Sequence, residues 1–140
     1  MGLNVTVDYA NGVEFGVHAR QHSLVCDQPI ENGGSDRGLT PPELLLASLG
    51  TCAAYYAAEY MRTRRLDPSE LQVRITAEKL LNPARLGNFQ IVVTAPGCND
   101  ERHREGILRA AKNCLIHNTL LHSPEISVGV ESRVLAMQNE

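Results

Sequence analysis

Residues 3–10 and 13–19 alternate between apolar and polar side chains, and each run reads as a half-buried strand. Asn11-Gly12 lies between them, a dipeptide that favours a tight hairpin turn. Residues 22–27 read as a third extended segment. Residues 28–39, with Gly33-Gly34 and Gly38, read as a loop. The period then changes. Thr40-Pro41-Pro42-Glu43 fits a capping box with proline at the first helical position. A helix is predicted from there to about Arg65, where Leu66-Asp67-Pro68 stops it. It is apolar nearly all round, which predicts burial on most sides. Gly50 inside it costs roughly 1 kcal/mol against alanine. That glycine marks either a close neighbour or a break before Cys52.

Residues 71–81 and 89–95 read as two more strands, joined through 82–87. Residues 100–121 read as a second helix, with room for an interruption. Ile107, Leu108, Ala111, Cys114 and Leu115 fall on one stripe at helical spacing. Asp100 and Glu101 suit its N-terminus. Residues 125–136 alternate again and predict a closing strand. The order βββ-α-ββ-α-β lacks the strand–helix–strand alternation of a parallel sheet, so it predicts an α+β fold. A chain of 140 residues suits a single domain over 1–140.

Composition removes several function classes. Net charge is −3 and the sequence pI about 5.9, so no basic field favours nucleic acid. The four tyrosines and two phenylalanines are too few for a base-stacking platform. The longest charge-free apolar run, 44–58, falls short of the roughly 20 residues that span a bilayer. The N-terminal Met1-Gly2-Leu3-Asn4 has neither a basic flank nor an apolar run, so no secretory signal is expected. The four cysteines are then expected in a reducing, cytoplasmic setting, where a disulfide is transient or catalytic. No C-x-x-C spacing suggests a zinc site, and no metal or cofactor is implied.

Cys52 and Cys114 carry the candidate chemistry. Each sits in an apolar segment, where a free cysteine is commonly a small core hydrophobe. The alternative is a thiol that accepts and releases a second sulfur. Cys26 reads as strand packing and Cys98 as a loop thiol. His22 and Asp27 read as the polar side of a strand. Arg20, the only arginine before the glycine pair, and Arg37 are candidate cations to activate a thiol; the alternatives are a solvated charge at a strand end and a loop-surface charge. His117, three residues after Cys114, falls within one helical turn of it. It reads as an ordinary polar contact or as an aid to proton transfer.

The segment Gly33-Gly34-Ser35-Asp36-Arg37-Gly38-Leu39-Thr40-Pro41-Pro42-Glu43 through Leu49-Gly50-Thr51-Cys52 resembles the signature of the OsmC/Ohr family, the osmotically inducible and organic hydroperoxide resistance proteins. Cys114, in Ala-Ala-Lys-Asn-Cys-Leu-Ile, falls where that family carries its second cysteine. The resemblance implies an intertwined homodimer, with two central helices packed on antiparallel sheets. It implies thiol-dependent reduction of organic hydroperoxides, with Cys52 peroxidatic and Cys114 resolving. The partners would be a small apolar hydroperoxide or ligand and an external dithiol reductant, with no nucleic acid and no membrane. Peroxidase branches pair a glutamate ten residues before the first cysteine with an N-terminal arginine. Here Pro42 stands at that place, with Glu43 beside it, and Arg20 is the candidate arginine. This departure likens the chain to an OsmC-like branch. It keeps two rivals open: a module binding a small apolar ligand, and a thiol sensor or inert core.

Overall fold

The computed structural model describes residues 2–132. The first hairpin joins β1 (Thr6–Asn11) to β2 (Glu14–Ala19) through Gly12 and Val13, one residue later than expected. Gly12 takes φ +57, the left-handed conformation such a turn demands. Strand β3 (His22–Cys26) pairs antiparallel with β2, giving a sheet of order β1-β2-β3. Residues directly opposite share a face. Val7 faces Val17 and Tyr9 faces Phe15, while Leu24 sits opposite Val17 and Cys26 opposite Phe15. One face of this sheet is therefore apolar. Val7 is 58% exposed and Tyr9 68% exposed.

Asp27, expected on a strand's polar side, is buried at the exit from β3. Its carboxylate accepts from the backbone N–H groups of Gln28 at 2.7 Å, Ser35 at 3.2 Å and Arg37 at 3.1 Å. These bonds hold its pKa below the usual carboxylate value of 3.8, against the opposing effect of burial. They shape the loop that delivers the chain to the long helix.

That helix, α1 (Pro41–Thr63), starts as the capping box predicts. Thr40 Oγ1 accepts from the Glu43 N–H, and the Glu43 carboxylate accepts from the Thr40 N–H at 2.9 Å. It runs unbroken through Gly50. A Cβ on Gly50 would lie 3.0 Å from Ile75 Cγ1, so the glycine marks close approach to the next sheet. That sheet is an antiparallel ribbon of β4 (Gln72–Leu80) and β5 (Arg85–Thr94), with Val73 opposite Val93 and Ile75 opposite Ile91.

The second predicted helix is two. α2 (Glu101–Lys112) and α3 (Leu115–Leu121) are separated by Asn113 and Cys114. Gly106 lets α2 lie against α1: a Cβ there would stand 2.1 Å from the Tyr60 hydroxyl. Tyr60 in turn meets His103 Nδ1 at 3.2 Å. The core holds Ala57 and Met61 of α1, Ile107 of α2 and Cys98, a loop thiol as expected, and buried.

Two expectations are corrected. Residues 125–132 form no strand, because the alternating Ile126, Val128 and Val130 meet no partner strand among the described residues and stay 82%, 88% and 92% exposed; the rest of that predicted strand lies outside the described residues. α1 is buried along one stripe only, Leu49, Gly50, Ala53, Ala57 and Met61, while Tyr55 on another side is 61% exposed. α1 packs on the β4–β5 ribbon, with α2 and α3 against α1, and the first sheet's apolar face lies bare among the described residues. The α+β class stands. Among the described residues no helix is long and apolar enough to cross a membrane.

Candidate functional site

The break between α2 and α3 builds the site. Cys114 leaves helical geometry (φ −100, ψ 141) and serves as the N-cap of α3. Its sulfur accepts from the His117 N–H at 3.4 Å, the task a serine or threonine oxygen commonly performs. Ala111, one turn earlier on α2, is also buried and closes the packing beneath it.

Cys52 comes to the same place from α1, one turn beyond Leu49. Cys52 and Cys114 are neighbours, close enough for Cys52 to influence the Cys114 thiol, and both cysteines are free thiols. They differ in environment. Cys114 is wholly buried, whereas Cys52 is partly exposed. Burial pushes the Cys114 thiol above its ordinary pKa of 9.0, and the neighbouring Cys52 adds to the rise. The N–H groups of His117 and Ile116 oppose it without reversing it. Cys114 is thus held as a thiol at neutral pH, beside Cys52.

A cleft of about 630 Å³ lies beside the pair. Leu45 and Leu49 of α1 form one wall and Phe89 and Ile91 of β5 another, with Lys112 and His117 as its polar members. The cysteines themselves lie behind this lining: Leu49 adjoins Cys52 on α1, and His117 adjoins Cys114 on α3. Such a volume and lining suit a small apolar molecule.

The other sequence candidates fall elsewhere. Glu43 is engaged in the capping box, also accepting from Thr40 Oγ1 at 3.1 Å. Nine residues of unbroken helix place it about 13 Å along α1 from Cys52. Arg20 is exposed in the turn between β2 and β3, at φ 57. Arg37 pairs with Glu14 at 3.4 Å. Cys26 and Cys98 are buried apart from the pair. Spacing alone did not distinguish the cap position of Cys114 or the exposure of its ring neighbour to the cleft. The Asn113 in the middle of a helical stripe was the available signal.

Fold and site together define an α+β protein with a paired-thiol centre between two helices and an adjoining apolar cleft. The chain belongs to the OsmC-like protein family, whose model matches residues 33–129. A search of curated proteins returns no match. Solved structures share the fold at low identity. An OsmC-like protein from Mycoplasma pneumoniae superposes with a TM-score of 0.69 at 21% identity, over 88% of this chain and 89% of that one. A protein from Psychrobacter arcticus 273-4, described in terms of osmotic stress induction and detoxification response, gives 0.76 at 20%, over 85% and 89%. An organic hydroperoxide resistance protein OsmC from Legionella pneumophila gives 0.66 at 15%, over 87% and 90%.

Proposed function

We propose that this protein reduces organic hydroperoxides through a two-cysteine cycle, Cys52 peroxidatic and Cys114 resolving. The observation that carries the reading is the proximity of a partly exposed cysteine and a buried one. Cys52, as thiolate, attacks the distal peroxide oxygen; the O–O bond breaks, an alcohol leaves, and Cys52 becomes a sulfenic acid. The Cys114 thiol condenses with it, releasing water and forming a disulfide. An external dithiol then reduces that disulfide by exchange and is itself oxidised. The assignment of roles follows exposure: the peroxide must reach Cys52, and a protonated, sheltered Cys114 waits beside it.

The reading includes a homodimer. The first sheet's apolar face, with Val7, Tyr9 and Phe15, lacks cover among the described residues. A role for Arg20 or Glu43 at Cys52 requires that second copy, since within one chain both stand away from the sulfur. Binding of a small apolar ligand without turnover is the competing reading, favoured by the cleft beside the pair.

The test is one equivalent of cumene hydroperoxide on reduced protein, followed by intact and peptide-mapped masses. Loss of two hydrogens with a Cys52–Cys114 cross-link, absent in Cys52→Ser, is expected. Cys114→Ser should stop at a sulfenic acid that dimedone traps. Both thiols still alkylatable after unfolding would overturn the reading in favour of ligand binding.

A further inference from the structure

We propose that Ser23 is an acyl-accepting site, a surface serine whose hydroxyl is activated by His18, with Asp8 orienting the imidazole. The three residues come from three adjacent strands. Ser23 of β3 lies opposite His18 of β2, and His18 lies opposite Thr6 of β1. Asp8 is two residues along β1, opposite Gly16. Side chains two apart on a strand share a face, so the trio occupies the face away from Val7 and Tyr9. His18 Nδ1 stands 2.9 Å from Ser23 Oγ, and His18 Nε2 stands 3.3 Å from Asp8 Oδ2. A carboxylate only accepts, so Asp8 selects the tautomer with its proton on Nε2. Nδ1 then keeps its lone pair for the Ser23 hydroxyl, which donates to it.

Gly16 is a second, independent observation. Glycine weakens a strand interior and marks places of close approach. A Cβ there would lie 3.2 Å from His18 Nε2, so the bare position leaves room for the ring to lean from Ser23 towards Asp8. A hydroxyl nucleophile needs a base within hydrogen-bond reach and a third group that orients the base, and both are present. Ser23 is exposed and His18 half-buried, so a reagent arriving from solvent meets the oxygen. The second copy proposed above covers the opposite face and leaves this one open. The substrate class is a small activated acyl donor, an aryl ester or a thioester. In the step, Ser23 Oγ bonds to the carbonyl carbon as its proton passes to His18 Nδ1. The bond from that carbon to the leaving oxygen or sulfur breaks, and the leaving group takes the proton and departs as a phenol or thiol. An O-acyl serine and a neutral imidazole remain. The trio shares no residue with the thiol pair or its cleft, so it stands independently of the peroxidase reading.

The probe is p-nitrophenyl acetate, applied after iodoacetamide has blocked the accessible thiols, with acetylation mapped serine by serine. Ser35 and Ser123, also exposed, are the references within the same molecule. General-base help is expected to acetylate Ser23 about a hundredfold faster than either. His18→Gln should bring Ser23 down to the reference rate, and Asp8→Asn should leave it between the two. A wild-type Ser23 no faster than the references overturns the proposal, as does a Ser23 rate unchanged in His18→Gln. If His18→Gln does not fold, Asp8→Asn decides: a Ser23 rate equal to wild type there overturns the proposal.

Discussion

Cys52, in the middle of a long helix, and Cys114, the cap of a short one, stand as neighbours although 62 residues of sequence separate them. Burial first, and then the neighbouring Cys52, raise the pKa of Cys114, and this has a consequence for stability. A thiol whose folded pKa lies above its unfolded value holds its proton longer in the fold. Its contribution is full below the ordinary value of 9.0 and is lost as pH rises through the folded value. Reduced wild type is therefore expected to lose thermal stability above about pH 9 more steeply than Cys114→Ala. Parallel melting curves of the two proteins from pH 7 to 11, in reductant, check this. A constant difference across that range would contradict the assignment.

Glu43 supplies a test of structure against chemistry. Its carboxylate is engaged by the backbone N–H and hydroxyl of Thr40, so its effect is expected on helix formation. Thr40→Ala and Glu43→Ala should each cost about 0.5–2 kcal/mol. The double variant should cost less than their sum, because one box serves both. Glu43→Gln keeps an acceptor and should stay close to wild type in stability. If it also oxidises Cys52 at the wild-type rate, the carboxylate charge has no part in activating the thiol. A rate fall without a stability fall would instead place Glu43 at the site of a second copy.

How much of this was legible before the structure depends on the range of the interactions. The capping box of α1 is local, and Thr40, Pro41 and Glu43 announce it within four positions. The period-two runs gave β1, β2, β4 and β5 because each pairs with a neighbour along the chain. Residues 125–132 show the same alternation and make no strand, since alternation records a preference that a partner must satisfy. The Cys52–Cys114 proximity depends on how three helices cross, which no spacing encodes. Family resemblance supplied that pair. Asp27 was misjudged for a related reason: three backbone donors from a loop up to ten residues away make burial of its charge tolerable.

Asp27 also sets an acid limit. Its folded pKa is depressed by the Gln28, Arg37 and Ser35 N–H groups, so the fold favours the charged form. That contribution is present above the unfolded value of 3.8 and is lost as pH falls through the folded one. Asp27→Asn keeps the size and one acceptor while removing the charge. It is expected to melt below wild type at pH 7, with the gap closing as pH falls to 3 and lower. A gap that persists unchanged into acid would mean the shape of the side chain matters, and its charge does not.

The bare sheet face makes the last prediction. Val7, Tyr9, Phe15 and Leu24 lie on one face of β1-β2-β3, all more than a third exposed, and each is a residue a single domain would ordinarily cover. Tyr9 and Phe15 already pack edge to face at 5.7 Å, so the patch is ordered before anything meets it. A second copy would bury it and bring two chains' sheets and helices together. Sedimentation at micromolar concentration is expected to give twice the chain mass of 15.3 kDa. Val7→Lys with Tyr9→Lys should return the monomer, because two ammonium groups cannot be buried there unpaired. Hydroperoxide oxidation measured on that monomer then separates two cases. A retained rate means one chain holds the whole thiol centre. A lost rate, with Cys52 and Cys114 still neighbours by cross-linking, means the activating cation comes from the other copy.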